Sequence, residues 1–222
     1  MVFFSFCSMN MMIVNELKTK MMFFGSGSPS DVYFNGNLLK WVERYNYLGN
    51  IISPIKSVNG DIFKHTYSYL CDKARKAIFL FFRKSRSFGI LPPNIMLKAY
   101  STLIQPILLY GSDVWGHSKN GGECIDKTCL FFLRCILKVK KSTSNIMCFG
   151  ELGVIPPSIL ANINSIIHHL RLTSLSQNDI VKQLFNELSS MNENGFDVLG
   201  APNIAKKYNL DISSCLFNDA YV

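Results

Sequence analysis

The chain changes its hydrophobic period once, near residue 60. Before that point apolar and polar residues alternate in short runs. VYFNGNLLKWV and ERYNYLGNIIS carry the two-residue repeat of half-buried strands. Asn35-Gly36 between two apolar runs signals a tight hairpin, because both central residues must accept positive φ. Residues 31 to 52 therefore read as a small antiparallel β element. Tyr45, Tyr47 and Gly49 are expected on one face, and Asn46, Leu48 and Asn50 on the other. MMFF (21 to 24) reads as a buried strand and the following GSGSPSD as a connector. A phosphate-binding glycine loop needs a helix directly behind it, and here a hairpin follows.

From Asp61 the apolar positions Ile62, Leu70, Ala74, Ala77, Ile78 and Phe81 recur by threes, fours and their sums, with Gly89 as a stop signal. On that helix Lys73, Lys76, Arg83 and Lys84 fall opposite the apolar stripe, Phe79 and Leu80 are interleaved, and Arg75 and Arg86 extend the ridge. Pro92-Pro93 opens a second helix, which Pro106 should kink or end. A third runs from about Gly122 to Val139, its end complemented by Lys138, Lys140 and Lys141. GELGVIPP reads as a turn, Pro157 starts a fourth helix to about Leu172, a fifth covers about Asp179 to Asn192, and the tail holds one short helix more. The fold class that follows is α+β and predominantly α-helical, a small antiparallel β-hairpin element followed by a helical bundle.

With 222 residues and 48% hydrophobic content, the chain can bury a sizeable core. Its net charge of +8 is uneven: residues 61 to 141 hold 14 basic and 5 acidic side chains, a local +9. Such an excess points to contact with polyanions, and the plainer reading is a solvated helix face. Seven cysteines, an odd number with no Cys-x-x-Cys pair, read as reduced intracellular thiols. The spacing of Cys124, Cys129 and Cys135 misses the usual zinc arrangements. His168-His169 sits in a helical apolar pattern and is expected half-buried rather than as a ligand pair. The start, MVFFSFCSMNMMIV, lacks a basic leader and a small-residue cleavage site and is too short to span a bilayer. An intracellular location, nucleus or cytoplasm, is expected, with no secretion and no membrane partner. The apolar start reads as a core segment lacking its packing partners, an exposed patch through which the chain would self-associate.

NELKTKMMFFG (15 to 25), FNGNLLKWVERYNYLGNIIS (34 to 53), DIFKHTYSYLCDKARKAIFLF (61 to 81), LKAYSTLIQPILLYGSDVWG (97 to 116) and LRCILKVKKSTSNIMCFGELGVIPP (133 to 157) follow one another in family-like order and spacing. Together they cover most of the chain and resemble the region downstream of the active site in reverse transcriptases of non-LTR, LINE-like retrotransposons. The resemblance implies a fragment of an RNA-directed DNA polymerase. Residues 1 to 56 would be a palm remnant with a primer-grip-like hairpin, 57 to 141 a thumb-like helical region, and 142 to 222 a C-terminal helical region. By resemblance, Asn15, Lys18 and Lys20 match a box near the incoming nucleotide, and Tyr47, Leu48 and Gly49 match the YLG of the primer grip. Tyr110, Gly111 and Trp115 match the end of the thumb, where an aromatic packing corner reads as well as any contact. Lys73, Lys76, Arg83 and Lys84 would lie along the backbone of RNA, DNA or an RNA–DNA hybrid without reading its sequence.

The parent family uses Mg²⁺ held by paired aspartates, and this chain has neither Asp-Asp nor Asp-x-Asp. No catalytic residue, metal site or cofactor is therefore expected, and the chain should be inactive alone. Asp113, Asp126 and Glu151 are dispersed, and a Ser112, Asp113, His117 triad lacks a nucleophile turn or oxyanion site. Besides a truncated reverse transcriptase, two readings stay open: a non-catalytic binding module for RNA or hybrid duplex, and a helical interaction protein whose charge is incidental.

Overall fold

The structure, a computed structural model, describes residues 2–15, 18–24, 30–34, 36–54, 61–177, 179–192 and 200–210. They form two compact units, Met1–Thr66 and Tyr67–Val222. The first carries the short strands and the second is helical, so the chain is α+β with helix predominating.

The first unit begins with helix α1 (Val2–Met9), after which Met11 and Ile13 are almost fully exposed. Strand β1 (Lys20–Met21) pairs in parallel with β4 (Lys40–Trp41), whereas β2 (Tyr33–Phe34) pairs antiparallel with β3 (Asn37–Leu38) and β5 (Tyr45–Tyr47) with β6 (Asn50–Ile52). Both pairs within residues 31 to 52 are antiparallel, as expected, and the parallel pair joins β4 to β1 outside that element. MMFF contributes only Met21 to a strand, and Phe24 is exposed. Gly36 has φ of +79°, as the turn requires; its partner Asn35 and residues 25–29 of the connector lie outside the described residues.

Gly49 is not a strand residue. Tyr47 pairs with Asn50, leaving Leu48 and Gly49 as a two-residue loop with φ of +48° and +85°. Positive φ at both central positions is the geometry whose twist matches that of the flanking strands. The alternation of the sequence continued through a turn whose first residue, leucine, gives no turn signal.

Helix α2 (Lys64–Ser85) starts in the first unit, which ends at Thr66, and within the second buries Tyr67, Leu70, Cys71, Ala74 and Ile78, positions three or four apart. Asp61 caps its approach by accepting from the Phe63 N–H at 2.8 Å. After a 3₁₀ turn (Arg86–Phe88), α3 (Pro93–Ala99) runs into a π-helical turn (Tyr100–Ile104) and α4 (Gln105–Leu108). Pro106 lacks an N–H and crowds the preceding turn, so the ladder widens rather than ending. Helix α5 (Ser112–Trp115) leads to α6 (Lys119–Leu137), which starts three residues earlier than expected because Ser118 caps it, its hydroxyl accepting from the Gly121 N–H at 3.1 Å. Helix α7 (Asn145–Leu152) occupies part of the expected GELGVIPP turn; the reversal comes at Gly153, φ +60°. Helices α8 (Pro157–Ser174), α9 (Ile180–Asn192) and α10 (Ala201–Lys207) follow.

The helical core is aromatic at its centre. Phe132 of α6 meets Phe81 and Phe82 of α2 at 5.9 and 5.3 Å between ring centroids and stacks on Tyr100 at 5.5 Å. Helices α5 and α8 approach so closely that a side chain on Gly116 would collide with the Ala161 carbonyl. No single helix among the described residues is long and apolar enough to cross a membrane; the bent pair α7 and α8 passes that test only jointly.

Candidate nucleic-acid interface

The cations singled out on α2 do share one face. Lys73, Lys76, Arg83 and Lys84 are exposed on the side away from Leu70, Ala74 and Ile78, together with Tyr69, Phe79 and Leu80. Among the described residues none of these four makes an ion pair. Arg75, to one side of the ridge, is paired with Asp72 at 3.3 Å.

A second cationic surface lies beside this one, and the sequence did not single it out. Arg75 of α2 and Lys127, Arg134, Lys138 and Lys141 on and after α6 line an open groove of about 870 Å³ whose floor includes Leu130, Phe131 and Val139. No carboxylate lines it, although two of its cations pair with carboxylates beside it, Arg75 with Asp72 at 3.3 Å and Lys127 with Glu123 at 3.5 Å. Local backbone geometry sets its far wall: Lys138 ends α6 in the left-handed region, φ +55°, and turns the chain so that Lys141 and Asn145 come back toward Arg134. The Arg134 guanidinium donates to the Thr143 carbonyl at 3.1 Å and to Asn145 Oδ1 at 2.6 Å, while its Nε is buried with no partner. Arg134 is thus held in one orientation by Thr143 and Asn145. Phe79 and Phe131, 5.6 Å apart, place aromatic surface between the ridge and the groove.

In the first unit, Lys20, Tyr45 and Tyr47 line one shallow, mostly apolar depression of about 220 Å³ with Met21, Val42 and Ile52. Lys20 and Tyr47, which the resemblance assigned to the nucleotide box and the primer grip, therefore line one depression. Asn15 and Lys18 are joined differently: the Asn15 side chain accepts from the Lys18 N–H at 3.1 Å and its carbonyl accepts from the Thr19 hydroxyl at 2.8 Å, a local turn. Leu48 and Gly49 form the hairpin loop.

Other candidates have structural occupations. Trp115 is fully buried and its indole N–H donates to the Tyr110 carbonyl at 2.9 Å, the packing corner. Ser112 is buried and its hydroxyl accepts from Asn164 at 2.8 Å; no hydrogen bond joins Ser112, Asp113 and His117. Asp126 caps α8, accepting from the Ser158 N–H at 2.9 Å and hydroxyl at 2.6 Å. His168 and His169 are half-buried, and His169 packs edge-on against Phe185; burial, His168 and Lys182 hold its pKa below the ordinary value. No group of three metal-ligating side chains occurs among the described residues.

Cys124 of α6 faces Cys71 of α2, with 3.0 Å between sulfurs, rather than Cys129 or Cys135. The hydrogen bond it shares with Cys71 holds the Cys124 thiol below its ordinary pKa, helped by Arg75 and Lys127, while Cys71 is held above it chiefly by that same bond and by burial. Burial pushes Cys129 up to about 12 and Cys135 upward. Compared with known proteins, the chain matches no family model, no curated protein and no solved structure.

Proposed function

We propose that the chain is a retroelement reverse transcriptase remnant, the nucleic-acid-gripping part of a non-LTR enzyme, and that it holds duplex backbone without chemistry of its own. What supports the reading is the cationic groove between α2 and α6, where five cations converge with no lining carboxylate. With the four cations of the α2 ridge, it offers several phosphates simultaneous neutralisation, and phosphate contacts of this kind position a duplex without reading bases. Equilibrium binding of a fluorescent RNA–DNA hybrid across a salt series tests it. The logarithm of affinity should fall with log salt at a slope on the order of four or more, with similar affinity for unrelated sequences. A slope near zero would rule the reading out.

A second reading, a helical interaction protein, is favoured by one observation. Ile159, Ile163 and Ile167, one turn apart on α8, are 39%, 43% and 46% exposed. A row of this kind is an apolar stripe without a cover among the described residues. Changing all three to Gln should leave hybrid binding intact if the first reading holds.

A further inference from the structure

We propose that Cys71 and Cys124 form a reversible oxidation site, at which hydrogen peroxide converts Cys124 to a sulfenic acid and Cys71 then closes a disulfide between α2 and α6. Neither cysteine acts alone in this inference. The two sulfurs lie 3.0 Å apart and both cysteines are free. Bond formation needs only about 1 Å of approach, since a disulfide is about 2.05 Å long. Burial divides the roles: Cys124 is partly open to solvent, whereas Cys71 is 1% exposed and reaches peroxide only through its partner.

The electrostatics agree with that division. Thiolate is the nucleophile, and thiols beside cations are the reactive ones. Cys124 has its hydrogen bond with Cys71 and the charges of Arg75 and Lys127 to favour its thiolate. Cys129 and Cys148 are fully buried, and Cys135, although it lines the cationic groove, is half-buried and its pKa is raised by burial.

In the first step the Cys124 sulfur attacks one peroxide oxygen; the O–O bond breaks, hydroxide leaves and takes up the proton that Cys124 released. Cys124 is then a sulfenic acid, oxidised by two electrons. In the second step the Cys71 sulfur attacks the Cys124 sulfur, the S–O bond breaks, and the leaving hydroxide departs as water with the proton of Cys71. Two thiols and one peroxide give one disulfide and two waters.

The consequence is a covalent tie between residues 53 apart in sequence, closing a loop that includes α3, the π turn, α4 and α5. A closed loop of this length restricts the unfolded chain and raises thermal stability.

The experiment uses the full chain and no nucleic acid, so it stands apart from the binding proposal. The protein is treated with one equivalent of hydrogen peroxide, blocked with N-ethylmaleimide, digested and mapped by mass spectrometry. A Cys71–Cys124 linked peptide should be the main product, dithiothreitol should reverse it, and the oxidised protein should melt roughly 5 °C or more above the reduced one. In Cys71→Ala the link should vanish and dimedone should label Cys124; in Cys124→Ser neither link nor dimedone adduct should form at residue 71. Absence of the linked peptide, or a dimedone adduct on Cys71 in Cys124→Ser, would overturn the proposal. Should the Cys71 variant fail to fold, alkylation of the native chain decides. Cys124 should react with iodoacetamide at least about tenfold faster than Cys129 or Cys135 at pH 7, and equal rates would overturn it.

Discussion

The Thr66 hydroxyl satisfies both backbone groups of Ile51: it donates to the Ile51 carbonyl at 2.9 Å and accepts from the Ile51 N–H at 2.8 Å. Thr66 is fully buried in the first turn of α2. A hydroxyl is the smallest side-chain group that can donate and accept at once, so it closes the outer edge of β6 as a neighbouring strand would. Valine keeps the shape and loses both bonds. Thr66→Val should cost about 1–3 kcal/mol, because a buried donor and acceptor are left unpaired. Hydrogen exchange at the Ile51 amide should accelerate accordingly; unchanged protection would show the edge is satisfied some other way.

The hairpin loop gives a paired prediction of opposite sign. Leu48 holds φ of +48°, a region that costs a non-glycine residue roughly 1–2 kcal/mol. Leu48→Gly should relieve part of that cost, offset by the greater freedom of glycine in the unfolded chain, whereas Gly49→Ala, at φ +85°, should lose about 1 kcal/mol. Amide exchange across Tyr45–Ile52 reads both changes.

Groove and ridge are separable. Changing Arg134, Lys138 and Lys141 to Gln should reduce the salt slope of hybrid binding by about three, and changing Lys73, Lys76, Arg83 and Lys84 to Gln by about four, if each cation engages one phosphate. The ridge positions face away from the core, so circular dichroism and melting should stay near the parent for that variant. A slope that responds to the groove set alone would confine the interface to the groove.

No metal-dependent primer extension is expected with magnesium or manganese on any template, because two-metal synthesis needs clustered carboxylates and the sequence has no Asp-Asp or Asp-x-Asp. Any metal-dependent incorporation by the purified chain refutes this.

His169 sets a pH dependence. Its pKa is held below the ordinary 6.5, first by burial and then by the charges of His168 and Lys182. The unfolded chain therefore binds this proton more readily than the folded one, so the stability due to neutral His169 is present above about pH 6.5 and is lost as pH falls through the lower folded pKa. Melting temperature should decline as pH falls below about 6.5, and His169→Leu should shed part of that slope.

The helical half was legible because its period is long and its stops are strong. The apolar positions of α2, the proline starts of α3 and α8 and the approximate span of α9 could all be read from spacing and proline placement. Helix α7 was missed because Gly150 and the following LGVIPP argue for a turn three residues before the chain makes one. The Leu48-Gly49 loop was hidden by a strand-like alternation running through it. The groove could not be read at all: Arg75 lies about fifty residues from Lys127, and only packing of α2 against α6 unites them. The Cys71–Cys124 pair, 53 residues apart, was invisible for the same reason, since spacing along the chain carries no signal of it.

The widened turn before Pro106 bears on how this chain tolerates changes in length. Tyr100, Ile104 and Leu108 are all buried, four residues apart each time, a repeat that would drift around a plain 3.6-residue helix. The π turn takes up the surplus residue and keeps all three on one side. Excising one of the exposed residues 101 to 103 would therefore convert the π turn to ordinary helix, while Leu108 and everything beyond it keep their place, a deletion that elsewhere in a helix would rotate the following face by about 100°.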